Sequence, residues 1–310
     1  MTLQQLKYII GISEIGSFNK AAEQLYVSQP SLTAAIKDVE NEFNIMLFNR
    51  SSKGITLTTE GKEFIQYARQ IYAQYDNLLD RFDTSKKHKK KFAVSCQHYS
   101  FCVKAFINLV KKLDKKEGGM EEYELAINET RTLTIIEDVS TMRSEIGILN
   151  LSDFNRSALK KVFKANDLKF EPLVSCKAFV YLWKKHPLAK CESLTFKDLK
   201  DYPCLMFDQN ASSSFYYAEE ILAEKEYSKI IRTTDRATNL NLMKGLNAYC
   251  LCSGIISNEL NGNDFIAIPF IDKENTTACQ EIGYITKNNV LLSSAGEAYL
   301  EELKKYLQQD

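Results

Sequence analysis

Residues 16–61, GSFNKAAEQLYVSQPSLTAAIKDVENEFNIMLFNRSSKGITLTTEG, read as two short helices, a tight turn and a β wing. Gly16 and Ser17 supply a turn and an N-cap, and Ala21, Ala22 and Leu25 form the apolar face of a first short helix. After a turn at Tyr26 and Val27, Ser28 caps a second helix. Pro30 is tolerated in its first turn because early helical N–H groups have no intrahelical partner. Leu32, Ile36, Val39 and Phe43 make its inner face. On the outer face Gln29, Thr33 and Lys37 recur at i, i+4 and i+8, with Pro30 and Ala34 beside them. Such a face suits a DNA major groove: Gln reads an adenine edge, Thr and Ala methyls touch thymine, and Lys meets phosphate or guanine. Arg50 and Lys53 then sit between two β-like runs, 45–48 and 55–58, so that two cations project from a hairpin tip toward phosphate or the minor groove.

The segment LQQLKY at 3–8, together with GSFNKAAEQLYVSQPSLTAAIKDVE, LFNR at 47–50 and LTTEG at 57–61, resembles the DNA-binding signature of the LysR-type transcriptional regulators. That resemblance implies operator contacts at Ser17, Asn19, Gln29, Pro30, Ser31, Thr33, Lys37, Arg50 and Lys53. Asn19 stands where Thr or Ser is more usual.

Apolar residues continue at Phe64, Ala68, Ile71, Tyr75, Leu78 and Phe82, with spacings of 4, 3, 4, 3 and 4. This heptad seam predicts a helix paired with another helix rather than one lying on a globular core, where a wider stripe is usual. The resemblance implies the same, since the family dimerises through a linker helix here and assembles as a homodimer that pairs into a homotetramer. The basic run Lys86 to Lys91 reads as a solvated hinge.

Beyond the hinge, strand and helix signals alternate: strands at 92–96, 123–127 and 145–149 with helices at 101–113 and 133–143. A second series follows from about Phe170 through 178–183, 204–208, a helix at 214–224, 230–234 and a helix at 239–246. A returning strand at 283–286 and a closing helix at 294–307 complete it. The pattern predicts an α/β fold with a parallel sheet covered on both faces. SEIGIL at 144–149, HPLA at 186–189, DLKDYP at 198–203 and KGLNAYCLCSGI at 244–255 are similar to landmarks of the family's periplasmic-binding-protein-like effector domain. The last landmark departs from the family pattern, with Asn247, Cys250 and Cys252 and no proline. The expected organisation is a winged helix-turn-helix domain over 1–61, a linker helix and hinge over 62–91, and a two-lobed effector-binding domain over 92–310. Lobe 1 takes about 92–167 and 269–310, and lobe 2 about 168–268.

Ligands in such sheets sit beyond strand C-termini and at helix N-termini. Candidate effector contacts are therefore Ser95, Gln97, His98 and Tyr99, then Thr130 and Arg131, then Gln209, Asn210, Ser212 and Ser213, and finally Thr234 and Arg236. Hydroxyls, amides and two arginines suit a small, anionic effector molecule. Three histidines without partner spacing give no metal site, no cofactor is expected, and His98 reads as a polar rim residue.

The 310 residues are 45% apolar with balanced formal charge, enough for two or three domains with real cores. Local cation placement, not net charge, governs DNA binding. No run approaches a membrane span and the first twenty residues lack a signal-peptide pattern, so no membrane partner and a cytoplasmic location are expected. Eight cysteines all lie beyond the DNA-binding segment without Cys-x-x-Cys pairs. Cys250 with Cys252, or Cys96 with Cys102, leave open a thiol-based redox sensor as the alternative to ligand sensing. Nucleophile elbows, His-Glu-x-x-His and phosphate or dinucleotide loops are missing from the sequence, so it does not read as an enzyme. A solute-binding protein or an enzyme fused to a DNA-binding head is the remaining rival.

Overall fold

The computed structural model describes residues 1–51, 54–82, 90–114, 122–210, 215–271 and 279–308; the side chains of residues 50, 51, 54 and 80–82 also fall outside that description. The chain divides into two units, Met1–Lys86 and Lys87–Asp310.

In the first unit, Thr2 and Gln5 form a capping box that opens α1 (Leu3–Ile15), and Gly16 closes it at φ +70, a conformation that costs glycine little. Ser17 caps α2 (Phe18–Gln24), and Ser28 caps α3 (Gln29–Phe43) with Pro30 in the first turn. β1 (Phe48–Ser51) and β2 (Gly54–Leu57) pair antiparallel as the wing, the first strand starting three residues beyond the expected start of its run. Ile9, Ile12, Phe18, Leu32, Ile36, Val39 and Leu47 are the centre of this unit's core. Phe43 does not join it: its ring is 46% exposed and meets Phe64 edge-on at 5.5 Å. The half-buried Leu25 packs against the core from its side. Buried Glu40 accepts the Leu47 N–H at 2.8 Å, which ties the wing strand to α3.

Helix α4 (Thr59–Phe82) begins inside the head, with the Thr58 hydroxyl accepting the Gly61 N–H at 2.8 Å. At Gly61 a Cβ would stand 2.1 Å from the Leu47 carbonyl oxygen, so only glycine lets helix and wing approach this closely. The expected seam splits in two. Phe64 and Ala68 pack within their own unit, Ala68 being only 1% exposed, because the first turns of α4 help close the head's core. Ile71, Tyr75 and Leu78 are exposed, and Tyr67 extends their stripe. The Phe82 side chain lies outside the described residues, as does the expected hinge up to residue 89; Lys90 and Lys91 already pair in the first strand of the second unit.

That second unit contains two lobes. Lobe 1 is built on β3 (Lys90–Cys96), β4 (Tyr123–Glu129), β5 (Ile146–Ser152), β6 (Leu168–Lys177) and, returning from the far end of the chain, β12 (Cys279–Lys287), in the order β4-β3-β5-β12-β6. β3 runs parallel to β4 and β5, whereas β12 runs antiparallel to both β5 and β6, so the sheet is mixed rather than wholly parallel as expected. One face is covered by α5 (Ser100–Asp114) and α11 (Ser294–Leu307), the other by α6 (Thr132–Ser140) and α7 (Arg156–Ala165). In β5, Ile146 and Ile148 enter the first of these cores and Leu149 and Leu151 the second, which is why the strand reads as a nearly unbroken apolar run.

Lobe 2 holds β7 (Phe179–Trp183) between β10 (Cys250–Cys252) and β11 (Phe265–Pro269), all antiparallel, and the parallel pair β8 (Cys204–Phe207) and β9 (Ile230–Thr233). A bridge from Cys204 to Tyr249 joins the two groups. Helices α8 (Phe196–Leu199), α9 (Arg236–Leu246) and α10 (Asn258–Asn261) complete it. Two expectations are corrected. β6 pairs with β12, so the change of lobe falls near residue 178 and residues 168–177 belong to lobe 1. The helix expected over 214–224 is a single 3₁₀ turn, Phe215–Tyr217, followed by irregular backbone. Glu219, Glu220, Ile221 and Leu222 are consecutively buried, which no single helix face allows, and Leu222 takes φ +62.

Candidate nucleic-acid interface and ligand cavity

On α3, Ser28 accepts the Ser31 N–H at 3.2 Å and its hydroxyl lies 2.7 Å from that of Ser31. Gln29, Pro30, Ser31, Ala34 and Lys37 are exposed, and Thr33 is half-buried. The Gln29 side-chain amide donates to the Thr33 hydroxyl at 2.9 Å, which orients a planar donor and acceptor group along the row before any base arrives. Ser17 is occupied in capping α2, accepting from the Lys20 N–H at 3.5 Å, and Asn19 is exposed in the same first turn. Arg50 stands opposite Ile55 in the wing ladder; its side chain, and Lys53 altogether, fall outside the described residues. Tyr26 is 94% exposed at φ +55 in the turn between the two helices, presenting a phenol beside the start of α3. In the sequence Tyr26 reads only as part of a turn; its left-handed backbone, uncommon for a bulky side chain, shows in the structure alone.

In the second unit a cavity opens between the lobes, with about 690 Å³ of empty space, part of it open to solvent. His98, Tyr99 and Gln280 line it from lobe 1, and Tyr181, Phe207, Glu219, Glu220, Arg236, Leu240, Met243, Cys250 and Cys252 from lobe 2. His98 is held firmly. Its backbone N–H donates to Glu219 at 3.0 Å, its Nδ1 lies 2.9 Å from the same carboxylate, and its ring stacks on Phe207 at 3.9 Å. Burial lowers the His98 pKa, but the hydrogen bond and charge of Glu219 outweigh burial and leave it raised. The adjacent Glu220 accepts the Phe207 N–H at 2.6 Å through Oε1, while its buried Oε2 has no hydrogen-bond partner among the described residues. Burial, then the neighbouring Glu219, push the Glu220 carboxyl up to about 8.

Of the residues expected at the effector site, His98, Tyr99 and Arg236 line the cavity. Arg236 is engaged with Glu129 at 2.8 Å and with Asn261 at 3.1 Å. Others serve the fold. Ser95 is fully buried, donating to Asp138 at 2.7 Å and lying 2.8 Å from the Ser144 hydroxyl. Buried Gln97 donates to the Thr132 hydroxyl at 2.7 Å and accepts from the Tyr99 hydroxyl and the Asn150 N–H, each at 2.9 Å. Gln209 joins the lobes by accepting the Thr132 N–H at 3.1 Å and donating to Glu219 at 2.9 Å. Arg131, at the N-cap of α6, binds the Asp208 carboxylate at 2.8 Å and its carbonyl at 2.9 Å instead of reaching the cavity. Thr130 donates its N–H to the Cys96 carbonyl at 2.9 Å. Asn210 at φ +79 and Thr234 are exposed, and Ser212 and Ser213 lie outside the described residues. The expectation of an anionic effector rested on hydroxyls, amides and the arginines Arg131 and Arg236; among the described residues, no cavity-lining arginine or lysine lacks a carboxylate partner. Glu219 and Glu220 were missed because YAEEIL reads as one turn of an amphipathic helix with both carboxylates in solvent.

Cys96, Cys250 and Cys252 gain no activating environment. Burial pushes Cys250 well up and Cys252 up to about 12; in Cys96 a hydrogen bond with Cys102, then burial, act in the same direction.

Residues 3–62 match the model of the bacterial regulatory helix-turn-helix proteins of the lysR family, and residues 123–308 match the LysR substrate binding domain. The chain is 24% identical over 300 residues to the uncharacterized HTH-type transcriptional regulator YbhD of Escherichia coli K12, covering 96% of this chain and 89% of that protein. It is 22% identical over 309 residues to the HTH-type transcriptional regulator CysL of Bacillus subtilis 168, covering 98% and 97%. A full-length OxyR variant from Pseudomonas aeruginosa is similar in structure with a TM-score of 0.67 at 17% identity, over 99% of this chain and 95% of that one. Full-length CbnR complexed with its target DNA gives 0.56 at 17% identity, over 99% and 100%. At such identities the structural likeness speaks for the fold.

Proposed function

Because this chain belongs to the LysR family of DNA-binding transcriptional regulators with an effector-binding domain, we propose that α3 reads its operator, the interlobe cavity takes its effector, and the exposed stripe of α4 joins two copies. The observation that carries the reading is the outward row of exposed Gln29, half-buried Thr33 and exposed Lys37, set on a helix whose N-terminus is capped and whose opposite face buries Leu32, Ile36 and Val39. Gln29 and Thr33 supply base contacts, and Ser17, Asn19, Pro30, Ser31 and Lys37, with Arg50 and Lys53 of the wing, hold the duplex backbone or groove wall. Two heads joined through α4 would meet two half-sites, and pairing of such dimers gives a tetramer. The protein is a regulator rather than an enzyme in this reading, and it acts in the cytoplasm, where its DNA lies. No helix among the described residues is long and apolar enough to cross a membrane.

The test begins with selection of preferred duplexes from a random pool, followed by affinities for the selected and a scrambled duplex at fixed salt. Gln29→Ala is expected to lower discrimination between them by about 1–3 kcal/mol. Arg50→Ala or Lys53→Ala is expected to weaken both duplexes together. Equal losses on both duplexes for Gln29→Ala would remove Gln29 from base reading.

A further inference from the structure

We infer that the ligand of the interlobe cavity carries a protonated amine on an apolar or aromatic body, with Glu220 as the carboxylate that receives it. This rests on the reading of that cavity as the effector site and names the chemical class it accepts.

The argument starts from a charge inventory. Three carboxylates stand at or beside the cavity: Glu129, Glu219 and Glu220. Arg236 pairs with Glu129 at 2.8 Å, and His98 with Glu219 at 2.9 Å. Asp208, nearby, is matched by Arg131 at 2.8 Å. Glu220 alone of these carboxylates has no cationic partner among the described residues. One of its oxygens takes a backbone N–H; the other, Oε2, is buried without a donor, although the residue is only 9% exposed and lines the cavity. A buried acceptor left unsatisfied is unfavourable, and an ammonium group offers the matching donor together with the missing charge. A ligand carboxylate would find no unpaired cation there to receive it, whereas an ammonium favours the ionised form of Glu220, whose proton passes to solvent. The remaining walls, Tyr181, Leu240, Met243, Ile255 and Ile256, suit an apolar body and offer aromatic surface to the cation.

Isothermal titration of the full-length protein with three compounds of one shape tests this: phenethylamine, 2-phenylethanol and 3-phenylpropionate. The proteins compared are the wild type, Glu220→Gln, which keeps the acceptor for the Phe207 N–H, and Leu240→Trp, which puts an indole into the cavity beside Met243. Phenethylamine is expected to bind the wild type at least about tenfold more tightly than the alcohol or the acid. That preference should collapse in Glu220→Gln, and Leu240→Trp should abolish binding. A preference for the acid, or amine affinity unchanged in Glu220→Gln, overturns the amine class while the cavity reading survives, provided Leu240→Trp still abolishes binding. Binding indifferent to Leu240→Trp, or no binding of phenethylamine at millimolar concentration, overturns the inference; the first of these also takes down the cavity reading.

Discussion

Glu220 and Gly61 show how much a single residue settles, and in opposite ways. The Glu220 carboxyl, ordinarily near 4.5, is pushed up to about 8 by burial and by Glu219, so over that interval the folded protein holds a proton that the unfolded chain has released. His98 is also raised, so it too keeps its proton in the fold to a higher pH than in the unfolded chain. Both groups therefore make stability fall as pH rises, Glu220 between its ordinary range and about 8. Thermal unfolding at pH 6, 7 and 8 is expected to show a falling midpoint in the wild type and a shallower fall in Glu220→Gln, with the variant the more stable at pH 8. Parallel curves would contradict this. Gly61 acts by what it lacks. In Gly61→Ala the new methyl meets the Leu47 carbonyl, so the wing must shift away from α4 at a cost on the order of 1–3 kcal/mol. The variant should lose affinity for all duplexes alike, measurable by fluorescence anisotropy; unchanged affinity and stability would mean that the wing gives way freely. At this scale the sequence was legible where a residue's role is local, as for the caps Ser17 and Ser28. It was illegible where a partner lies far along the chain, as for Arg131 and Asp208 or His98 and Glu219.

Among the elements, α4 illustrates both the power and the limit of periodicity. A spacing of 3.5 identifies a helix with an apolar seam, but not which part of the seam its own chain covers. Ala68 closes the head's core while Ile71 and Leu78 stand 45% and 55% exposed, so only the latter are free to meet a second copy. Replacing both with Asp would place unpaired charges in that helix pair at a cost of about 3–5 kcal/mol, and sedimentation is expected to show monomers with the head still folded. An intact dimer would transfer the interface elsewhere. The segment 214–224 failed for a related reason. Its pattern fits an amphipathic helix, yet both glutamates turn inward toward histidine, glutamine and backbone partners that only the folded lobes supply.

For the whole molecule, the alternation of strands and helices gave the α/β class and the two lobes, whereas the sheet to which β6 belongs depends on a pairing with β12 more than a hundred residues away, which no local pattern encodes. The cavity follows from that topology, because β12 returns Gln280 to the lobe junction, where it lines the cavity with His98 and Glu220. A different consequence follows from α4 starting within the head. One rigid rod carries both the core residues Ile65 and Ala68 and the outward stripe from Tyr67 to Leu78, so the head's rotational phase about the rod is locked to the stripe. Each residue advances that phase by about 100° and the rise by about 1.5 Å. A single alanine inserted after Gln70 should therefore swing Ile71, Tyr75 and Leu78 about 100° away from their facing, and two joined heads would no longer address the same side of one duplex. A seven-residue insertion returns the phase to within about 20° while lengthening the rod by about 10 Å. Selection of preferred duplexes for each variant checks the locking: the short insertion should abolish recognition of paired half-sites, and the long one should restore it at an altered spacing. Equal half-site spacing in all three proteins would mean that the heads turn independently of the rod.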